Sequence, residues 1–183
     1  MRHPLDFLPP AVRRRLFLAL LAWTLFLFGV FQILDRPLET GAAPRGIVSF
    51  ELAGTAQHAQ QMLQSWSAPG GRALNYAAFG LGLDYLFMPS YAATIALGVL
   101  LASGRHGGPF AALGPWLGWA SLAAALFDAT ENFALWQLLA HGLADPWPLV
   151  AFWCASFKFG LILLGMAYAL GGALLPGAAR AAK

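Results

Sequence analysis

The sequence predicts an all-α integral membrane protein: a four-transmembrane-helix bundle with an outer amphipathic helix between the first and second spans. The chain of 183 residues is 59% hydrophobic and only 10% charged, whereas about 25% of the residues in a soluble domain are charged. Four apolar segments are long enough to cross a bilayer, and one long connection separates the first two. We therefore expect residues 1–183 to form a single polytopic membrane domain.

Each predicted span is close to, or longer than, the roughly 20 apolar residues that cross a bilayer. The spans cover about residues 16–34, 73–102, 110–140 and 147–175. The first follows three consecutive arginines, as the core of a secretory signal peptide would. Its apolar run is longer than such a core, and the LDRPLE that follows is not a small-residue cleavage site. We therefore predict that this segment is retained as the first span.

Basic residues are divided unequally between the predicted loops, and cytoplasmic loops are enriched in lysine and arginine. If both termini are cytoplasmic, the inner residues are Arg2, Arg13, Arg14, Arg15, Arg105, Arg180 and Lys183, and the outer residues are Arg36, Arg45 and Arg72. This asymmetry predicts an integral protein of a bacterial inner membrane with cytoplasmic N and C termini.

The connection between the first two spans contains an amphipathic pattern over about residues 50–66. Its apolar positions recur every three or four residues, as on one face of a helix. They are Leu52, Ala56, Ala59, Leu63 and Trp66, with glutamines largely on the other face. Ser49 is the expected N-cap. The helix has no lysine or arginine, so we interpret it as a lid across the outer end of the bundle or as a helix resting at the interface.

Four ionisable residues lie within the predicted spans, away from their ends: Asp84, Asp128, Glu131 and Lys158. Counted from the outer ends of their spans, all four lie roughly 13 to 18 Å deep, at about 1.5 Å per helical residue. Isolated charges at such depths are expensive and usually mark functional sites. The shared depth predicts that the second, third and fourth spans bring these charges together.

Neighbouring polar residues lie on the same faces of these spans. Asp128, Glu131 and Asn132 are related by spacings of three and four and share one stripe. Tyr91 shares a stripe with Asp84 on the second span. Asn132 and Tyr91 are therefore predicted binding residues.

Tyr85 and Glu51 are predicted at the edge of the site. Pro89 has no N–H to donate to the carbonyl of Tyr85, which leaves that carbonyl for a ligand or for a purely structural kink. Glu51 either reaches the site from the amphipathic helix or is an acid favoured by the dipole in the first turn of that helix.

Three acids and one lysine would carry a net charge of −2 if all were ionised. A low-dielectric site disfavours that imbalance, so one or two acids hold protons or a cation is bound. Protonated and ionised acids side by side can act as a general acid and base. Asp128 and Glu131 are the predicted pair, assisted by Asp84, and Lys158 would stabilise developing negative charge.

The sequence lacks the patterns that are typical of other kinds of functional site. The single cysteine, Cys154, excludes an intramolecular disulfide framework, and the histidines are not spaced as a zinc triad. No phosphate loop or dinucleotide fingerprint is present, and the net charge of +3 gives no reason to expect nucleic-acid binding. The sequence therefore predicts no metal site and identifies no cofactor.

Three functions fit these observations. The first is binding or transformation of a lipid-soluble small molecule by proton transfer, and it leaves open whether the protein is an enzyme. The second is a proton-coupled or cation-coupled carrier, although no internal repeat typical of many carriers is evident. The third is a structural or assembly subunit whose polar patch pairs with another membrane chain, which allows an oligomer. The bilayer is the expected partner of all three.

Overall fold

The computed structural model describes residues 1–67, 70, 72–142 and 144–177, and within them it contains helices but no strand. The helices are α1 (Pro10–Asp35), a short 3-10 helix (Arg36–Leu38), α2 (Ile47–Glu51), α3 (Ala56–Trp66), α4 (Arg72–Ser103), α5 (Gly108–His141) and α6 (Trp147–Leu174). The all-helical class is confirmed. Arg180 and Lys183, used above for the orientation, lie outside the described residues.

Four of these helices, α1, α4, α5 and α6, are long and apolar enough to cross a membrane. They extend beyond most of the predicted span limits, with α1 beginning at Pro10 rather than near residue 16. Hydropathy marks only the apolar part of a helix, whereas the backbone hydrogen bonds of α1 continue through its three arginines.

The predicted helix over residues 50–66 is divided in the structure. Gly54 has a φ of +68°, a conformation that glycine adopts without strain and that interrupts a helix. The next residue, Thr55, is the N-cap of α3, and its side chain accepts from the backbone N–H of His58. The prediction of Ser49 as N-cap is therefore wrong; its hydroxyl accepts from the backbone N–H of Arg45. Leu52, predicted on the apolar face, lies between the two helices and is exposed.

The chain forms two compact units. Unit 1 comprises the described residues of Met1–Thr24, Pro89–Ala125 and Phe159–Lys183. Side-chain hydroxyl groups bond within this unit: Thr24 and Thr94 share a hydrogen bond of 3.0 Å, and Tyr168 donates to the carbonyl of Phe110 at 2.6 Å. The N-terminal segment packs on α5 in this unit, where Trp119 donates to the carbonyl of Arg2 at 3.2 Å.

Unit 2 comprises the described residues of Leu25–Met88 and Leu126–Lys158. In its apolar core Phe50 and Trp66 meet edge to face with ring centroids 5.2 Å apart. Trp66 also donates to the carbonyl of Leu38 at 2.8 Å. Core residues from α4, α5 and α6 complete the cluster: Ala77, Leu81, Ala134, Leu135, Leu138 and Ala151. Helices α2 and α3 are thereby fixed against the parts of the long helices that belong to unit 2.

Candidate functional site

A buried lysine lies among the acids of unit 2. Lys158, on α6, donates to Asp128 Oδ1 at 2.7 Å and to Glu131 Oε1 at 2.9 Å, both on α5. Lys158 is 5% exposed, Asp128 2% and Glu131 0%. Asp128 and Glu131 lie three residues apart on one helical face, so a single ammonium reaches both carboxyl groups. The contact predicted from the shared depth of these three charges is present.

The short helix α2 adds a further acid to this cluster. Glu51 is the last residue of α2, and its Oε1 lies 3.6 Å from Lys158 Nζ. The side chain is buried. Of the two predicted positions for Glu51, the structure has the one that reaches the polar centre; the residue is at the C-terminal end of a helix, not in the first turn.

Asp84, on α4, completes the cluster beside Asp128. The Asp84 and Asp128 carboxyl groups interact directly, and Asp84 is also within electrostatic range of Lys158 and Glu51. Asp84 is half-buried, whereas the other three acids are buried. It is therefore the acid of the cluster with the greatest access to the surroundings of the protein.

Asn132 connects the acid-bearing face of α5 to α4. Its side-chain N–H donates to the backbone carbonyl of Leu81 at 3.0 Å, and Asn132 is 2% exposed. Asn132 follows Glu131 directly, so this bond holds α5 in the orientation in which its acids face Lys158. Its observed contact is with the backbone, which makes it a positioning residue in this structure.

The two predicted tyrosines differ in position. Tyr85 is 52% exposed, and its hydroxyl donates to the carbonyl of Ala129 at 3.4 Å, next to Asp128 in sequence. Tyr85 thus lies at the edge of the cluster, as expected. Tyr91 is a buried residue of unit 1. Its predicted place in the cluster stays a prediction, because Pro89 begins the segment of α4 that belongs to unit 1.

The cluster has a large excess of acid. Its members are Glu51, Asp84, Asp128, Glu131 and Lys158, and they would carry a net charge of −3 if all were ionised. Two pairs of carboxyl groups interact with each other, Glu51 with Glu131 and Asp84 with Asp128. Two carboxyl groups share a hydrogen bond only when one of them holds a proton. One proton in each pair would reduce the net charge to −1.

Glu51 is the member of the cluster that lies outside the four long helices. Burial raises the pKa of its carboxyl above the usual range. The Lys158 ammonium opposes this effect, and the Asp128 carboxylate adds to it. Because of this net increase, Glu51 holds its proton to a higher pH than a free glutamate does.

Two buried oxygens in the cluster have no hydrogen-bond donor among the described residues: Glu51 Oε2 and Glu131 Oε2. An unpaired buried acceptor is costly. Because the two carboxyl groups interact with each other, a proton on one of them can satisfy the other. The arrangement can therefore hold and transfer protons.

Within the described residues, no group of three or more histidine, cysteine, aspartate or glutamate side chains is placed to hold a metal ion. At the polar centre the Lys158 ammonium lies where the acids would otherwise surround a cation. The chemistry of the cluster is that of carboxyl groups and one ammonium.

Comparison of the chain with protein-family models, with curated protein sequences and with solved structures finds no match in any of the three.

Proposed function

We propose that the protein binds a lipid-soluble small molecule at the acid–lysine cluster of unit 2 and exchanges protons with it. The proposal includes an inner-membrane location, with α1, α4, α5 and α6 as a four-helix bundle, cytoplasmic termini, and α2 and α3 at the outer end. The excess of basic residues in the predicted inner loops supports this orientation.

One observation carries the proposal: Lys158 is shared by three carboxyl groups, and one of them, Glu131, has a fully buried oxygen without a donor. A buried ion pair that only held helices together would need one acid. Surplus acids in a low-dielectric site have to hold protons, and such protons are available to a bound molecule.

The residues have distinct roles in this proposal. Glu131 and Asp128 are the acid and base that give a proton to the bound molecule or accept one from it. Lys158 stabilises negative charge that develops during the transfer. Asp84, half-buried beside Asp128, returns the proton from the surroundings. Asn132 holds α5 in register with α4.

The test compares the wild-type chain with Glu131→Gln in lipid nanodiscs. Gln keeps the size of the side chain and removes its titration. We expect both proteins to fold. We expect the wild type to retain a co-purifying lipid-soluble molecule, detected by mass spectrometry of its extract, and Glu131→Gln to lose it. Glu39→Gln, an exposed acid of the same unit, is the matched control and should behave like the wild type.

Infrared spectroscopy provides a second measurement. The wild type should show an absorption band from protonated carboxyl groups that decreases in Glu131→Gln and not in Glu39→Gln. A wild-type protein with every carboxyl group ionised and no extractable ligand would overturn the proposal.

A proton-coupled carrier is the second candidate. The observation in its favour is a continuous series of interacting groups from Glu51 through Glu131, Lys158 and Asp128 to the half-buried Asp84. A carrier should move a solute into proteoliposomes only when a pH gradient is imposed, whereas binding under our first proposal needs no gradient.

A further inference from the structure

Glu51 differs from the other acids of the cluster because a short connection carries it instead of a long helix. Helix α2 has five residues and is bracketed by Gly46, with a φ of +52°, and Gly54, with a φ of +68°. Glycine adopts such positive φ values freely, whereas other residues adopt them only with strain. Helix α2 is therefore a separate small element that brings one carboxyl group to Lys158.

Among the three acids that form ion pairs with Lys158, Glu51 is also the most distant. Its Oε1 lies 3.6 Å from Lys158 Nζ, compared with 2.7 Å for Asp128 and 2.9 Å for Glu131. The longest contact belongs to the acid on the smallest element. Glu51 is thus the acid whose departure would disturb the long helices least.

The position of Glu51 imposes two requirements on whatever group occupies it. The group must offer an acceptor to Lys158 Nζ, and it must offer a donor to Glu131, whose Oε2 is fully buried and lacks one. A protonated carboxyl group meets both requirements through its carbonyl oxygen and its hydroxyl. The Glu51 carboxyl group meets the first requirement through Oε1, and its Oε2, which is also buried without a partner, meets the second when a proton lies between the two acids.

The surroundings of this position are apolar. Phe50, adjacent to Glu51, is fully buried, and Trp66, Leu135 and Leu138 belong to the same core. The ring of Phe152 packs against Gly54, just beyond α2. A hydrocarbon chain attached to a carboxyl group would find aromatic and aliphatic contacts at this place if the Glu51 side chain rotated away while Phe50 stayed in the core.

We propose, on the basis of the function inferred above, that Glu51 is a built-in occupant of the ligand site and that the ligand is a lipid-soluble carboxylic acid. The protonated carboxyl group of the ligand replaces that of Glu51 between Lys158 and Glu131. The exchange of one neutral carboxyl group for another leaves the charge of the cluster unchanged. An alkyl amine would instead bring a second ammonium next to Lys158 and would have no acceptor for it when protonated.

The experiment measures equilibrium binding of radiolabelled palmitic acid to the full chain in nanodiscs, with empty nanodiscs subtracted. Glu51→Ala vacates the position, and Glu39→Ala is the matched control at an exposed acid. A site that Glu51 leaves free one-tenth of the time binds about tenfold more weakly than a vacated one. We therefore expect Glu51→Ala to bind palmitic acid about tenfold more tightly than the wild type, and Glu39→Ala to match the wild type.

Glu51→Gln and Glu51→Ser extend the test. Gln offers an acceptor and a donor at the same reach, so Glu51→Gln should bind palmitic acid as weakly as the wild type. Ser is too short to reach Lys158, so Glu51→Ser should bind palmitic acid as Glu51→Ala does. Glu51→Ser is used in the experiment instead if Glu51→Ala does not fold. Equal binding by the wild type and both short variants would overturn the inference.

Hexadecanol and hexadecylamine separate this inference from the function on which it rests. If one of them binds in a Glu131-dependent manner and palmitic acid does not, the ligand class is wrong and the lipid-soluble-ligand function stands. If none of the three probes binds to the wild type or to Glu51→Ala, and the wild-type extract contains no ligand, both proposals fail. If palmitic acid binds tightly to Glu51→Ala and the other two probes do not, the result supports both proposals.

Discussion

In unit 1 the buried hydroxyl groups of Thr94 and Ser121 donate to backbone carbonyls four residues earlier in their own helices. In unit 2 the buried carboxyl groups of Asp128 and Glu131 accept from Lys158 on another helix. A hydroxyl bonded within its helix is satisfied by local backbone geometry. A buried carboxyl group depends on a charge or a proton supplied from elsewhere.

Close packing at glycine is the second feature of unit 1. A Cβ at Gly165 would lie 2.6 Å from Ile95 Cγ2, and one at Gly114 would lie 2.5 Å from Ser103 Cβ. Small residues let helices approach closely, which is a main source of helix association in lipid. The comparison indicates that unit 1 is held largely by shape and that unit 2 is held partly by a proton-dependent charge balance.

The largest expected effect is that of Lys158→Met in unit 2. It leaves Asp128, Glu131 and Glu51 without their shared ammonium, and breaking a buried ion pair costs about 3–5 kcal/mol. The loss of unfolding free energy, measured in mixed micelles, should be smaller at mildly acidic pH, where protons neutralise the acids. Arg45→Met, at an exposed residue of unit 2, is the control and should have little effect. A loss independent of pH would contradict the proposed charge balance.

Gly165→Ala tests the packing of unit 1. The added methyl group meets Ile95 Cγ2 and, at 3.2 Å, Ser121 Oγ, and overpacking of this kind costs about 1–3 kcal/mol. The loss of unfolding free energy should be the same at neutral and mildly acidic pH. Gly160→Ala lies on the same helix and in the same unit with nothing within 4 Å of the new Cβ, so it should be neutral or slightly stabilising. Equal effects of the two substitutions would show that unit 1 is not held by shape.

Asn132→Leu should have a smaller effect in unit 2. It removes the hydrogen bond from α5 to the carbonyl of Leu81, and side-chain hydrogen bonds between membrane helices average about 0.6 kcal/mol, with a maximum near 1.7. Thr130→Val is the control, because the exposed Thr130 hydroxyl bonds only to the carbonyl of Leu126 in its own helix among the contacts described. If thermal unfolding shows that Asn132→Leu and Thr130→Val lose equal stability, the hydrogen bond between α4 and α5 adds nothing to the stability of unit 2.

The smallest change in unfolding free energy at neutral pH is expected for Glu51→Gln. This substitution mainly changes how the unfolding free energy depends on pH. Burial raises the pKa of Glu51 in the folded protein. Its stabilising contribution is therefore complete below its unfolded-state pKa of about 4.3 and is lost as pH rises through the folded-state value. Gln does not titrate, so the variant should gain stability relative to the wild type as pH rises. Glu39→Gln should show no such gain, and a relative loss for Glu51→Gln would mean that Glu51 is ionised when folded.

The long helices were predictable because about 20 consecutive apolar residues leave few alternatives to a helix that satisfies its own backbone. The break that divides the connection into α2 and α3 was not predictable. Leu52 and Ala56 keep the spacing of a helix across Gly54, so the hydrophobic pattern contains no sign of the break. The sequence signals were the glycine and the Thr55 that follows it, a residue type favoured at N-caps.

The polar centre was predictable in part. A count along three apolar spans placed Asp84, Asp128, Glu131 and Lys158 at one depth, and the structure brings them together. Glu51 entered the prediction only as an edge residue, although it is the one acid between Glu39 and Asp84. Its position depends on how the connection folds, for which depth along a helix gives no measure. The place of Tyr91 stays a prediction, because it lies on the segment of α4 that belongs to unit 1.

The sequence by itself determined the helical class, the four long apolar helices and the excess of buried acid over lysine. These follow from composition and from the short-range geometry of the helix. Only the tertiary structure decided that Lys158 is shared by carboxyl groups from two elements and that α2 supplies one of them. Such contacts join residues distant in the chain, and their distances depend on packing that no local pattern encodes.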